Sequence, residues 1–254
     1  MNQQKKNILA NGGSIGSGEV LRTLLGGLAP DLPASIFVTT RISAHSAGIL
    51  AENLNSKSAL PVIGALDGQP VESGHVYVAP PDRHLLVIGD TIRLGDGPRE
   101  NMVRPAIDPM FRSVALSYGP RAVGLVLSGM LDDGAAGLHA IKSCGGTAVV
   151  QHPLAAKADE MPLAALEATQ VDHVVHRDDL ARTLTEIAGR VATGDHHPSH
   201  GLRLEVEIAA GRRLGSSELS KISGPSPISC PHCQGVRRGD PHGHAGDGGT
   251  RHAA

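Results

Sequence analysis

Ser14 stands in the stretch ANGGSIGSGEV, residues 10–20, between a short apolar run and a segment of helical period. Gly12, Ser14 and Gly16 fit the G-x-S-x-G turn that exposes a serine nucleophile. Gly12, Gly16 and Gly18 fit equally the G-x-x-x-G-x-G spacing of short-chain dehydrogenases, where glycines let the backbone approach a dinucleotide phosphate. The two patterns need different helpers. Hydride transfer would need a tyrosine with a lysine four residues later and an acidic residue after the second strand. Tyr77 is followed by VAPP, Tyr118 by GPRA, and FVTT runs into Arg41, so the dehydrogenase reading finds none of its partners. Acyl transfer would use Ser14 at a strand-to-helix turn, with the amides that follow it, Ile15 first, pointing outward to hold an oxyanion. A serine there is also an ordinary N-cap for a helix starting near Ser17, and the loop alone favours that reading.

A second chemical candidate follows the run AVGLVLSG. In GMLDDG, Asp133 precedes Gly134, as a helix cap or turn residue often does. It also stands where open α/β sheets place functional groups, at the carboxyl end of a strand. Near the C-terminus, Cys230 and Cys233 have the Cys-x-x-Cys spacing of one half of a zinc ribbon. No second pair exists, and His242 or His244 would have to complete the ligands. The pair is read as a remnant, with no metal and no cofactor expected.

The elements that must position these residues alternate. Strands are expected near Asn7–Ala10, Ala34–Thr40, Pro61–Gly64, Arg121–Leu127, Thr147–Gln151 and His173–Val175. Helices are expected over Gly18–Leu28, Ser46–Asn55, Pro105–Tyr118, Gly134–Cys144, Met161–Ala168 and Asp178–Val191. This alternation predicts an α/β fold, a three-layer sandwich with a mostly parallel sheet between helices. The stretch VYVAPPDRHLLVIGDTIRLG, punctuated by Pro-Pro and Gly-Asp, predicts antiparallel hairpins at one side. Residues 1–192 are expected to form the domain, and 193–254, rich in Gly, His and charge, a mostly disordered tail with a short helix around Ser216–Ile222.

The composition narrows the partners. The chain has 254 residues, 40% of them apolar, and a formal charge of −2, which gives no field for a nucleic-acid backbone or an anionic membrane. With no Trp, two Phe and two Tyr, stacking platforms for bases are not expected. Apolar runs are strand-length and three cysteines make no disulfide framework, so a cytoplasmic location is expected, with no membrane insertion.

The series GGSIGSGEVL, VYVAPPDRHLLV, GPRENMVRPAIDPMFRSVA, LSGMLDDGAAGLHAIKSCGG, VVQHP and MPLAAL, in that order, resembles the catalytic domain of the chemotaxis protein-glutamate methylesterases, the CheB type. The resemblance covers roughly residues 7–190. It implies a hydrolase of glutamate methyl esters, with glutamine deamidation as a second activity, acting on the cytoplasmic helices of methyl-accepting chemoreceptors. By resemblance Ser14 is the nucleophile and Asp133 the triad carboxylate, with Ile15, Gly129 and Met130 supplying oxyanion amides. The pattern breaks after the second strand. Aligning the helix GILAENL puts Arg41 where the family has its catalytic His, and His45 four residues on, as a possible substitute base or an exposed residue near a helix start. The alternative implied is a receptor-binding module that has lost turnover with its histidine. His84 and His152 are read as structural or surface residues. Family members usually carry a receiver domain before the catalytic one; none is expected here, so regulation is expected to come from elsewhere.

Overall fold

The computed structural model describes residues 5–41, 47–213, 215, 218, 225–229, 236–238 and 251–252, and of 47–49 and 225 onward the backbone alone. Seven strands form one parallel sheet in the order β3-β4-β2-β1-β7-β8-β9. They are β1 (Ile8–Gly13), β2 (Ser35–Thr40), β3 (Val62–Gly64), β4 (Val76–Val78), β7 (Ala122–Val126), β8 (Thr147–Gln151) and β9 (His173–Val175). The central strands are buried on both faces, which is why they read as continuous apolar runs and not as alternating ones.

Each face has its own core. On one side α1 (Ser17–Gly26), α2 (Ala47–Asn55) and α6 (Leu180–Ala188) cover the sheet, with Leu21, Leu24, Leu54, Leu184 and Ile187 among the buried side chains. On the other lie α3 (Ile107–Tyr118), α4 (Ala135–Ser143) and α5 (Glu160–Ala168), packing Phe111, Val114, Leu138, Ile141 and Met161 onto the strands. The expected three-layer sandwich is present.

The hairpin is narrower than expected. It consists of β5 (His84–Ile88) and β6 (Thr91–Gly95), paired antiparallel. Val76–Val78, expected within it, is instead β4, a parallel strand between β3 and β2, because its three side chains are buried on both faces. His84 is buried in the hairpin. Its Nδ1 accepts the Ala106 amide (3.3 Å), so its Nε2 donates to the Pro98 carbonyl (2.9 Å). Burial lowers its proton affinity, and it serves as a neutral structural link.

The larger correction concerns the boundary at 192. His200–Ala209 is a helix, α7, capped by Ser199, whose hydroxyl accepts the Leu202 amide at 3.1 Å. Leu202, Leu204, Val206 and Ala209 are buried, and the Gly97 amide donates to the Ala209 carbonyl (3.2 Å). His196 reaches the Ala115 carbonyl of α3 at 3.1 Å. The stretch from His196 to Ala209 therefore belongs to the domain. Its charged and glycine-rich surroundings hid an amphipathic stripe of helical spacing. Farther on, β10 (Pro225–Ser229), β11 (Val236–Arg238) and β12 (Arg251–His252) pair antiparallel. Of the helix expected around Ser216–Ile222 only Glu218 is among the described residues, and Cys230 and Cys233 lie outside them. No helix is long and apolar enough to cross a membrane among the described residues.

Candidate active site

Strand order reverses direction at β1. The chain leaves β1 through α1 on one face of the sheet and leaves β7 through α4 on the other, so the carboxyl ends of these two neighbours frame a crevice. Ser14 follows β1 directly, and the loop Ser128–Asp133 follows β7. The two are tied together, since the Ser14 amide donates to the Ser128 carbonyl at 2.9 Å. Arg41, first residue after β2, donates its amide to the Gly13 carbonyl (3.2 Å). Ser14, Arg41 and the loop that leads to Asp133, the first and last more than a hundred residues apart in sequence, thus meet at the carboxyl ends of the central strands.

The turn at Ser14 is sharp. Gly16 has φ +85°, and a Cβ built on it would lie 2.6 Å from Lys157 Cβ, so conformation and space both require glycine. Gly16, not Ser14, is the N-cap of α1. The Ser14 carbonyl accepts the Ser17 amide (3.1 Å) and hydroxyl (2.6 Å), while its own hydroxyl has no hydrogen-bond partner among the described residues. The plain N-cap role therefore does not account for Ser14. Buried Ser128 clamps the turn: its hydroxyl donates to the Ile15 carbonyl (2.7 Å) and accepts the Ala158 amide (2.9 Å).

Of the three expected oxyanion donors, two are free. The amides of Ile15 and Met130 have no partner among the described residues, and both residues are about half exposed. Gly129 is a correction, because its amide donates to the Ala158 carbonyl (3.0 Å) and its carbonyl accepts from Met161 (3.0 Å). Its role is one of space. A Cβ there would lie 2.9 Å from Ser14 Cβ, so only glycine lets the β7 loop pass the serine this closely. Leu131, at φ +67°, is held in its left-handed conformation while its amide donates to Glu160 Oε2 (2.8 Å).

Asp133 is fully buried. Its carboxylate accepts the amides of Ile107 (3.0 Å to each oxygen) and Asp108 (3.1 Å), the first two residues of α3. Burial raises its proton affinity; those two amides, the Asn101 side chain and the Arg41 charge oppose that rise. Arg41 is half-buried. Its guanidinium donates to the Asn101 carbonyl (2.6 Å), its Nε has no partner, and no carboxylate lies within ion-pair distance among the described residues. His45 lies outside the described residues. His152 accepts the Leu154 amide at Nδ1 (3.2 Å) and caps the turn after β8. Among the described residues no cluster of His, Cys, Asp and Glu is arranged to hold a metal.

A profile of the family described as CheB methylesterase matches residues 9–184. The chain belongs to the CheB methylesterase family. Its relatives include a protein-glutamate methylesterase/protein-glutamine glutaminase of Anaeromyxobacter dehalogenans, 38% identical over 71% of this chain and 53% of that protein. One of Methanosarcina mazei is 34% identical over 72% of this chain and 52% of its own length. The chain thus spans about half the length of these curated relatives. The crystal structure of the Thermotoga maritima CheB methylesterase catalytic domain is matched over 97% of its length and 71% of this chain, at 30% identity and a TM-score of 0.68. As a CheB-family domain the protein has the expected architecture. Three residues around its crevice were not singled out from sequence: Asp108, Asn101 and Ser128. All three stood inside stretches that carry the resemblance, Asn101 and Asp108 in GPRENMVRPAIDPMFRSVA and Ser128 in LSGMLDDG, but nothing in their type or spacing marked them as parts of a site.

Proposed function

We propose that this domain is a protein-glutamate methylesterase-like acyl hydrolase, acting on glutamate methyl esters of chemoreceptor cytoplasmic helices in the cytoplasm, with glutamine deamidation as the same chemistry on a primary amide. The observation that carries it is the Ser14 hydroxyl at the carboxyl end of β1, which together with the nearby amides of Ile15 and Met130 has no hydrogen-bond partner among the described residues. Ser14 attacks the ester carbonyl, the two amides hold the tetrahedral oxyanion, methanol leaves, and water hydrolyses the acyl-serine. Asp133 is the carboxylate of this site, and here it serves α3. The proton acceptor is the weak link, for a guanidinium has no lone pair to take the Ser14 proton. Turnover then rests on the oxyanion donors and on binding, or on His45.

A second reading, a receptor-binding module without turnover, is supported by Arg41, which the resemblance aligns with the family's histidine and whose guanidinium has no carboxylate partner among the described residues. It would pair with a substrate carboxylate. Demethylation of a methylated receptor by wild type, Arg41→His and His45→Ala separates the readings. General-base catalysis contributes about 10²- to 10⁴-fold, so Arg41→His should raise a slow wild-type rate by that order. Fast wild-type turnover abolished by His45→Ala would place the base four residues on. Receptor binding with no turnover in either wild type or Arg41→His would leave the module reading and remove Ser14 as a working nucleophile.

A further inference from the structure

Helices α3 and α4 both begin without a local side-chain cap, at Ala106 and Gly134 respectively. Each takes its cap from the other. Asp133, just before α4, accepts the first two amides of α3, and Asp108, the second residue of α3, accepts at Oδ1 the amides of Gly134 (3.0 Å) and Gly137 (2.7 Å) at the start of α4. Two buried carboxylates are thus crossed between two helix N-termini, where both dipoles favour negative charge. Losing one link loosens the other, since both hold α3 to the start of α4, and the loop 129–133 that leads into α4 begins beside Ser14.

We propose that Asp108 is a positioning residue for this site, holding the loop that carries Met130 and Asp133 against Ser14 through the crossed caps of α3 and α4. The part that concerns turnover rests on the Ser14 hydrolase reading; the part that concerns the loop does not. The groups that face the pair come from every element packed on it. Asn101 Nδ2 reaches Asp108 Oδ2 at 3.5 Å, and Arg41 acts on Asp133 from the end of β2. Arg112 of α3, itself paired with Glu100 and within 3.4 Å of Glu205 on α7, favours the charged carboxylate of Asp108, and Glu100 disfavours it. Burial first, then the Asp133 charge, pushes Asp108 up to about 7, so the crossed pair takes up a proton near neutrality.

The test compares Asp108→Ala with Asp108→Asn in the full chain, each alone and with Arg41→His. Asparagine keeps an acceptor of the same shape for Gly134 and Gly137; alanine does not. Amide hydrogen exchange at Gly129, Leu131 and Ala135, the hydrogen-bonded amides of this loop and its exit, should rise on the order of tenfold or more in Asp108→Ala while β1 and β7 stay protected, and asparagine should restore protection. In wild type the Gly134 and Gly137 amide resonances should shift together with pH, with a midpoint close to 7, and stay flat in Asp108→Asn. Where ester hydrolysis is measurable, alanine should lower kcat by about 10- to 100-fold with little change in KM. Unchanged loop exchange in Asp108→Ala, exchange raised across the whole sheet, or an undiminished kcat would each overturn the proposal. If no variant hydrolyses ester even with Arg41→His, the hydrolase reading fails, and the loop exchange alone decides the role of Asp108.

Discussion

Ser128 shows how much of this crevice depends on atoms that do no chemistry. Its hydroxyl is the contact between the Ser14 turn, through the Ile15 carbonyl, and the segment before α5, through Ala158. Ser128→Ala leaves the Ile15 carbonyl and the Ala158 amide without that partner, which costs about 1–3 kcal/mol and should appear as a lower denaturant midpoint. Leu131 should respond in the opposite sense. Its side chain is 55% exposed and its φ is +67°, so the strain outweighs what its burial contributes. Leu131→Gly relieves about 1 kcal/mol of left-handed strain and should leave the urea midpoint equal or higher, where a leucine-to-glycine change in a helix lowers it. A clear loss of stability would show that the leucine side chain packs on something that holds the loop.

At the scale of elements, α7 decides where the domain ends. It buries Leu202 against the core that α3, α4 and the hairpin share, and Glu205 on the same helix stands 3.4 Å from buried Arg112. Truncation after Thr193 strips that cover and leaves Arg112 with one acidic partner fewer. The truncated chain should therefore melt well below the full chain, whereas truncation after Arg213 should not. Leu202→Ala alone should cost roughly 2–4 kcal/mol in chemical denaturation. An unchanged melting temperature on truncation at 193 would mean that α7 rests on the surface without contributing to the fold.

The whole molecule carries a pH dependence whose sign follows from burial. Asp108 in the folded protein holds its proton up to about pH 7, while an unfolded aspartate releases it near 4. Between these values the native state binds more protons than the unfolded one, so this contribution to stability falls as pH rises. Burial of Asp133 acts in the same direction. His84 acts in the other, because its lowered proton affinity favours the fold above about 6.5 and is lost as pH falls. The contrast between variants isolates the aspartate. Asp108→Asn should gain stability relative to wild type as pH rises from 5 to 8; a gap that stays constant over that range would show that Asp108 is ionised throughout.

The sequence by itself determined the alternation of strands and helices, because a parallel sheet buried on both faces leaves unbroken apolar runs such as Ala122–Leu127 between segments of helical period. It also determined that Ser14 and Asp133 stand in loops that follow strands, which comes from residue types and local spacing; Arg41 as the replacement for the family's histidine belongs to the proposed function and rests on the resemblance. Other features needed the folded chain. Val76–Val78 is parallel or hairpin strand according to which neighbour it meets, and its burial between β3 and β2 settled that. The stripe of α7 became a core face only when α3 and the hairpin offered it a surface. Gly129 was indistinguishable from Met130 as a donor until Ala158, thirty residues on, took its amide. The crossed caps of Asp108 and Asp133 were invisible for the same reason: a carboxylate's partner amides belong to another helix, and only the packing of α3 on α4 brings them within reach.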